Sequence, residues 1–156
     1  MTQTEIDTRA NRAMELFRQG YNCSQSVFAS CCDLFGITDQ DLALRLSASF
    51  GGGIGRMRQT CGAACGMFML EGLRSGTSIP DNHSGKAANY ANVQALAQRF
   101  KDENGSLICA ELLGLAKVKT DTNPTPEQRT DTYYKKRPCV EMVGNAVKNF
   151  LTLSLP

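Results

Sequence analysis

Sulfur is the reactive element this chain offers most freely, and four of its seven cysteines stand where helices are expected to begin. Cys23 follows Asn22, Cys61 follows Thr60, Cys109 comes three residues after Ser106, and Cys139 follows Pro138. Asn, Thr and Ser are favoured N-cap residues, and Pro suits the first helical turn. The unpaired N–H groups and partial positive charge of a helix N-terminus stabilise a thiolate, the form that attacks disulfides and binds metals. The recurrence therefore predicts sulfur chemistry.

The seven cysteines do not read alike. Cys31 and Cys32 fall mid-helix with no cap and read as small core residues. Cys65 lies one helical turn past Cys61 in a bed of Gly and Ala, which suits tight packing better than an auxiliary ligand. Cys61 follows a glycine loop, stands behind Arg56 and Arg58, and precedes Gly62, which leaves its sulfur approachable. Cys139 has Lys135, Lys136 and Arg137 before it, a field that favours the thiolate. Cys23 and Cys109 gain meaning as members of a set.

The elements that position these residues read as helical almost throughout. Ile6, Ala10, Ala13, Met14 and Phe17 form an amphipathic stripe ending at Gly20. Asn22 and Gln25 make a capping box for a second helix carrying Val27, Phe28, Cys31, Leu34 and Phe35. Thr38-x-x-Asp41 starts a third, with Leu42, Leu46 and Phe50 expected inward. The flexible segment Gly51-Gly52-Gly53-Ile54-Gly55 then leads to a central small-residue helix from Cys61 to about Leu73. A longer helix is expected over roughly 84–103, a short one capped by Ser106 runs through Leu113, and the last starts at Pro138. The polar stretch 117–129 reads as a loop. The expected architecture is an all-α, single-domain bundle of about six or seven helices spanning residues 1–156.

Composition narrows the partners. A chain of 156 residues and 17.0 kDa, 42% hydrophobic, supports a core without disulfide staples. The mixed-charge N-terminus carries no apolar signal core, and no apolar run approaches the ~20 residues of a membrane span. A cytoplasmic protein with no membrane insertion is expected, and there cysteines are usually reduced, metal-bound or catalytic. The net charge of +2, with acids and bases interspersed, argues against a nucleic-acid partner. His83, the one histidine, reads as an exposed turn residue. The glycine loop lacks the Gly-Lys-[Ser/Thr] ending of a P-loop and follows no strand, so it reads as a connection needing positive φ or close backbone approach. Paired Cys-x-x-Cys spacings, the usual mark of structural zinc, are missing, so any site must be assembled by the tertiary fold.

The chain resembles the C-GCAxxG-C-C family of redox-active proteins. The resemblance rests on Gly20-Tyr21-Asn22-Cys23-Ser24-Gln25-Ser26-Val27, Phe50-Gly51-Gly52-Gly53 and Cys61-Gly62-Ala63-Ala64-Cys65-Gly66, completed by Cys109 and Cys139. The family name writes Gly-Cys-Ala where this sequence has Cys-Gly-Ala, so Cys61 is carried as the motif cysteine and Cys65 as an unshared extra. A similar module in split-Soret cytochromes holds an iron–sulfur cluster. The resemblance thus implies Cys23, Cys61, Cys109 and Cys139 as ligands of a [2Fe–2S] or related cluster, with Gly51, Gly52, Gly53 and Gly62 bringing backbone near it.

Three functions follow from these readings. The first is electron transfer or redox sensing with an unidentified redox partner protein. The second is metal-free thiol–disulfide exchange in which Cys61 or Cys139 attacks and another cysteine resolves. The third is a non-catalytic module braced by zinc. Only the first two turn on electron transfer, and transferring electrons does not by itself make an enzyme. The small-residue central helix also leaves room for a homodimer.

Overall fold

Each of the first two helices is opened by a reciprocal side-chain cap. The computed structural model describes residues 1–114 and 121–155. In α1 (Gln3–Arg18), Thr2 and Glu5 form the capping box, and Ile6, Ala10, Ala13 and Phe17 are buried as their spacing predicts. In α2 (Cys23–Cys31), Asn22 accepts from the Gln25 N–H at 3.0 Å and the Gln25 side chain accepts from the Asn22 N–H at 3.0 Å. The same two side chains reach onward: Asn22 Nδ2 donates to the Ala48 carbonyl at 2.8 Å, and Gln25 Nε2 to the Leu44 carbonyl at 3.1 Å. A 3₁₀ turn (Cys32–Phe35) ends at Gly36 in the left-handed region.

Helix α3 (Gln40–Ser47) differs from its expected register. Asp39, not Thr38, is the N-cap, accepting from the Leu42 N–H at 3.1 Å. Ala43 and Ser47 are its buried residues, Leu42 and Leu46 are 47% and 48% exposed, and Phe50 is half-buried. The reason is the bond from Gln25 to Leu44, which draws the α3 backbone against α2, and only small side chains fit at that separation.

The remaining elements are α4 (Gly51–Ile54), α5 (Gly62–Ser75), α6 (His83–Asn104), α7 (Cys109–Leu112), α8 (Asp131–Lys136) and α9 (Cys139–Ser154). Among the described residues six helices run eight residues or longer, and the β-pairing is one isolated antiparallel bridge between Thr60 and Ile108. The chain is all-α. No helix among the described residues is long and apolar enough to cross a membrane. Helix α8 was not foreseen; Thr130 caps it by accepting from the Tyr133 N–H at 3.2 Å. Of the expected 117–129 loop, residues 117–120 lie outside the described residues, and 121–129 carry no helix or strand.

Helix α5 is the axis of the bundle, packed between α2 and α9. Its buried face runs Gly62, Ala63, Ala64, Cys65, Gly66, Met67, Leu70 and Glu71. A Cβ at Gly66 would stand 2.9 Å from both the Ser24 carbonyl oxygen and Val27 Cβ, so glycine sets how near α2 can come. Fully buried Glu71 locks the far end, receiving Arg74 Nη2 at 2.6 Å, Ser75 Oγ at 2.6 Å and Ser154 Oγ of α9 at 2.7 Å. With the C-terminal ends of α5 and α9 tied there, their N-termini are held at one common end.

Two glycines of α5 should respond in opposite directions. Gly66→Val is expected to lower unfolding free energy by about 2 kcal/mol through overpacking. Gly72→Ala, where a Cβ meets nothing within 4 Å, is expected to raise it by about 0.5–1 kcal/mol through reduced chain entropy. Urea unfolding followed by far-ultraviolet circular dichroism measures both.

Candidate functional site

The cysteines are brought together by backbone before any side chain is considered. The Cys61 N–H donates to the Leu107 carbonyl at 2.7 Å, and the Cys109 N–H to the Gln59 carbonyl at 2.7 Å. Ala110 N–H adds a bond to the Arg58 carbonyl at 3.2 Å. These bonds flank the Thr60–Ile108 bridge and set two cysteines distant in sequence side by side. Cys61 then serves as the N-cap residue of α5, while Cys23 and Cys139 are the first residues of α2 and α9. All four line one cavity of about 420 Å³.

The glycine loop forms a wall of that cavity. Gly52, Gly53 and Gly55 have φ of 66°, 70° and 57°, and the left-handed course extends to Ile54, Arg56 and Arg58 at 65°, 62° and 60°. For the β-branched Ile54 this is a strained conformation. It is held by bonds from the Gly55 N–H to the Ser49 carbonyl (2.8 Å), Arg58 N–H to Gly52 (3.2 Å) and Gln59 N–H to Gly53 (2.9 Å). Close approach is required as well as positive φ. A Cβ at Gly53 would lie 2.6 Å from Cys109 Cβ, and one at Gly62 would lie 3.2 Å from Cys23 Cβ. Gly51 is pressed against the Asn22 side chain, where a Cβ would fall 2.3 Å from Cγ. The segment read from sequence as flexible is a built turn.

Four guanidinium groups surround the thiols. Arg58, only 5% exposed, places Nη1 3.9 Å from Cys109 Sγ and directs Nε to the Asp121 carbonyl at 3.4 Å. Arg129 stacks on Phe17 and Tyr133, 4.4 and 4.7 Å from the ring centroids, and donates to the carbonyls of Phe17 and Tyr21. Arg137 lies 4.6 Å over Tyr133 and pairs with Glu127. Arg56 donates to the carbonyls of Asn123 and Thr125 and approaches Asp121 and Glu127 at 3.9 and 3.8 Å. The segment 121–129 is thereby strapped to the glycine loop, and its Pro124, Pro126 and Glu127 face the cavity. Arg129, Tyr133 and the strap escaped the sequence reading. An arginine with no repeating partner inside a polar stretch gives no periodic signal.

The sequence singles out Cys61 and Cys139 as the approachable, thiolate-favoured cysteines, and the structure keeps only Cys139 in that role. Burial pushes Cys61 up to about 12 despite the opposing backbone N–H groups of Ala64 and Ala63 at the start of α5. Cys109 is raised by burial against the pull of Arg58. Cys23 is raised well above the usual thiol range by the adjoining Cys139, then by burial. Cys139 alone is lowered, to about 7, first by the Cys23 thiol beside it and then by Arg137, Arg129 and Arg58. Lys135 and Lys136, two of the three cations credited to it from sequence, are exposed and do not line this cavity.

The other sulfur residues stand apart. Cys31 and Cys32 are buried in the core, and Cys65 directs its sulfur to the Thr60 carbonyl at 3.8 Å, outside the cavity lining. Ser106 does not cap α7; its hydroxyl accepts from the Ile108 N–H at 3.0 Å, and Ile108 occupies the N-cap position. His83 is exposed, at the first residue of α6. Among the described residues, no three His, Cys, Asp or Glu side chains are gathered into a group that would hold a metal ion as they stand.

In the reduced, metal-free protein, Cys139 should be the first thiol alkylated by iodoacetamide. Its rate should rise with pH and reach half its maximum near pH 7, because the reactive thiolate accumulates above the lowered pKa. Cys61 should stay unreactive throughout the neutral range. Cys23→Ala should move the Cys139 midpoint upward. Peptide-resolved mass spectrometry reads all three. Gly53→Ala, which strains a positive φ and drives a Cβ into Cys109, should destabilise the fold by about 2 kcal/mol or more. It should also expose Cys109 to the reagent.

Comparison with known proteins places the chain among relatives of similar length. An uncharacterized protein of Archaeoglobus fulgidus is 25% identical over 158 residues, an alignment covering 96% of this chain and 94% of the relative. No solved structure matches the chain. The profile of the family described as "Putative redox-active protein (C_GCAxxG_C_C)" matches residues 21–152, which include all four cavity cysteines, and the chain belongs to that family.

Proposed function

We propose that Cys23, Cys61, Cys109 and Cys139 together hold an iron–sulfur cluster, through which the protein transfers electrons or senses redox state. One observation carries the reading: four cysteines from four separate stretches of chain line a single cavity of about 420 Å³. Four cysteine thiolates are the usual ligand set of such clusters. A cluster presents several metal atoms to its ligands, whereas a lone zinc ion needs all four sulfurs within about 2.3 Å of one point. Among the described residues no three ligand-type side chains converge on one point as they stand, which suits the former better than the latter. When bound, an iron–sulfur cluster supplies one-electron exchange.

The chain's own residues serve this reading in definable ways. Gly53 and Gly62 bring backbone within contact of Cys109 and Cys23, where any side chain would intrude. Arg58 and Arg129 place positive charge at the cavity, which offsets anionic thiolates. Burial and mutual repulsion keep Cys23, Cys61 and Cys109 protonated when alone, so metal binding would release protons. Pro124, Pro126 and Glu127 of the strap line the cavity together with Phe17 and Tyr133, and solvent exposure, like hydrogen bonding to sulfur, tunes a cluster's potential.

A second reading is favoured by the Cys23–Cys139 pair. There the Cys139 thiolate attacks a substrate disulfide and releases one thiolate. Cys23 then attacks the mixed disulfide, releases the second, and leaves a Cys23–Cys139 disulfide. Two electrons pass to the substrate. Of the two attackers considered from sequence, burial of Cys61 leaves Cys139 the better placed.

Purification without oxygen, followed by iron and acid-labile sulfide analysis, separates these readings. The expected product is coloured, with visible absorption lost in Cys61→Ser and Cys109→Ser. A colourless, iron-free product showing a reversible two-thiol change, abolished by Cys139→Ser or Cys23→Ser, establishes exchange instead. Stoichiometric zinc whose chelation unfolds the protein overturns both.

A further inference from the structure

A second depression, open and about 960 Å³, adjoins the cysteine cavity, and Arg137 forms part of both walls. Its lining combines half-buried Met14 and Val140 with Arg18, Lys135, Lys136 and Arg137 against one acid, Glu141. Two of these cations are already engaged: Arg137 with Glu127, and Arg18 with Glu15 at 4.0 Å. Lys135 and Lys136 are exposed and make no ion pair among the described residues. On the strap the balance is opposite, since Asp121 and Glu127 face Arg56 and Arg137. The exposed positive charge lining this depression and left without an ion pair among the described residues is therefore on α8, a few residues before Cys139.

From this placement we infer that the redox partner docks in the depression between α1, α8 and the start of α9, presenting an acidic protein face around an apolar side chain. The inference deepens the redox reading above and rests on it. Lys135 and Lys136 meet the partner's carboxylates, and Met14 and Val140 receive the apolar residue. Opposite charge at a rim around an apolar centre steers encounter and fixes orientation. An open depression of this size, lined partly by apolar side chains, is the wrong shape for a small anion. The chain's +2 net charge and the short basic run give no extended footprint for nucleic acid. Electrons would leave through Cys139, whose neighbour Arg137 is shared between the two surfaces.

The test compares electron transfer from the reduced, anaerobically purified protein to ferricyanide and to hexaammineruthenium(III), an anion and a cation. At low ionic strength, K135E/K136E is expected to slow ferricyanide about ten-fold and to speed hexaammineruthenium(III), with both effects fading as salt is raised. K86E/K101E makes the same change in net charge on α6, away from the depression, and should leave both rates within about two-fold of wild type. A Glu-rich peptide with one central Leu should inhibit wild type but not K135E/K136E, and lose most of that inhibition when its Leu is changed to Glu. Equal responses of the two double variants, or none, overturn the docking surface. Inhibition independent of the Leu overturns the apolar-anchored protein face in favour of simple anion attraction. If the protein carries no iron, the cluster reading fails separately. The surface is then read by thiol reaction with the anionic disulfide 5,5′-dithiobis(2-nitrobenzoate) against cationic cystamine. There the K135E/K136E variant must invert the wild-type preference or the surface is refuted.

Discussion

Four thiols enclosed in one poorly hydrated space cannot all ionise unless something positive joins them. Every other feature of the site answers that constraint. Desolvation and neighbouring sulfur raise Cys23, Cys61 and Cys109, and the only thiol lowered is Cys139, which accepts a hydrogen bond from the Cys23 thiol and faces three arginines. Helix N-termini help less than their number suggests. At Cys61 two backbone N–H groups favour the thiolate, yet burial wins by a wide margin. A site so arranged keeps three of its thiols protonated near neutral pH and leaves Cys139 as the reactive one.

That constraint also explains which parts of the molecule were legible in its sequence. Stripes such as Ile6, Ala10, Ala13 and Phe17 mark helices because burial on one face imposes a 3.6-residue period, and the structure buries those residues. The capping box of Asn22 and Gln25 was equally visible because both partners lie within one turn. The four cysteines stood out through their local neighbours, and they do share one cavity. The face of α3 was not legible. Leu42 and Leu46 look like core residues until the bond from Gln25 to Leu44 fixes how close α3 sits, a distance that no local pattern encodes.

The missed parts share one character: their meaning lies in long-range pairing. The Thr60–Ile108 bridge joins two short segments without strand alternation. Arg129 works through Phe17, more than a hundred positions earlier, and Arg56 through the carbonyls of Asn123 and Thr125. A lone arginine in a polar stretch is indistinguishable in sequence from a solvated one. Here three of the four arginines at the cavity are held by aromatic faces or strap atoms, and Arg58 is held beside sulfur.

The loop between Gly51 and Cys61 shows why strain and function coincide in this fold. A left-handed conformation at Ile54, Arg56 and Arg58 is costly, and three non-glycine residues adopt it within five positions, with Gly55 between the first two and Met57 between the last two. An ordinary turn would avoid that cost, but it would not carry Arg56 toward the strap and Arg58 toward Cys109 from positions two residues apart. The backbone bonds to Ser49, Gly52 and Gly53 hold the course, and the absence of a side chain at Gly53 lets Cys109 lie against it. The loop therefore joins two tasks in one short stretch. It closes the cavity from outside through the strap and charges it from inside through Arg58, so the cysteines are enclosed and electrostatically biased by the same strained turn.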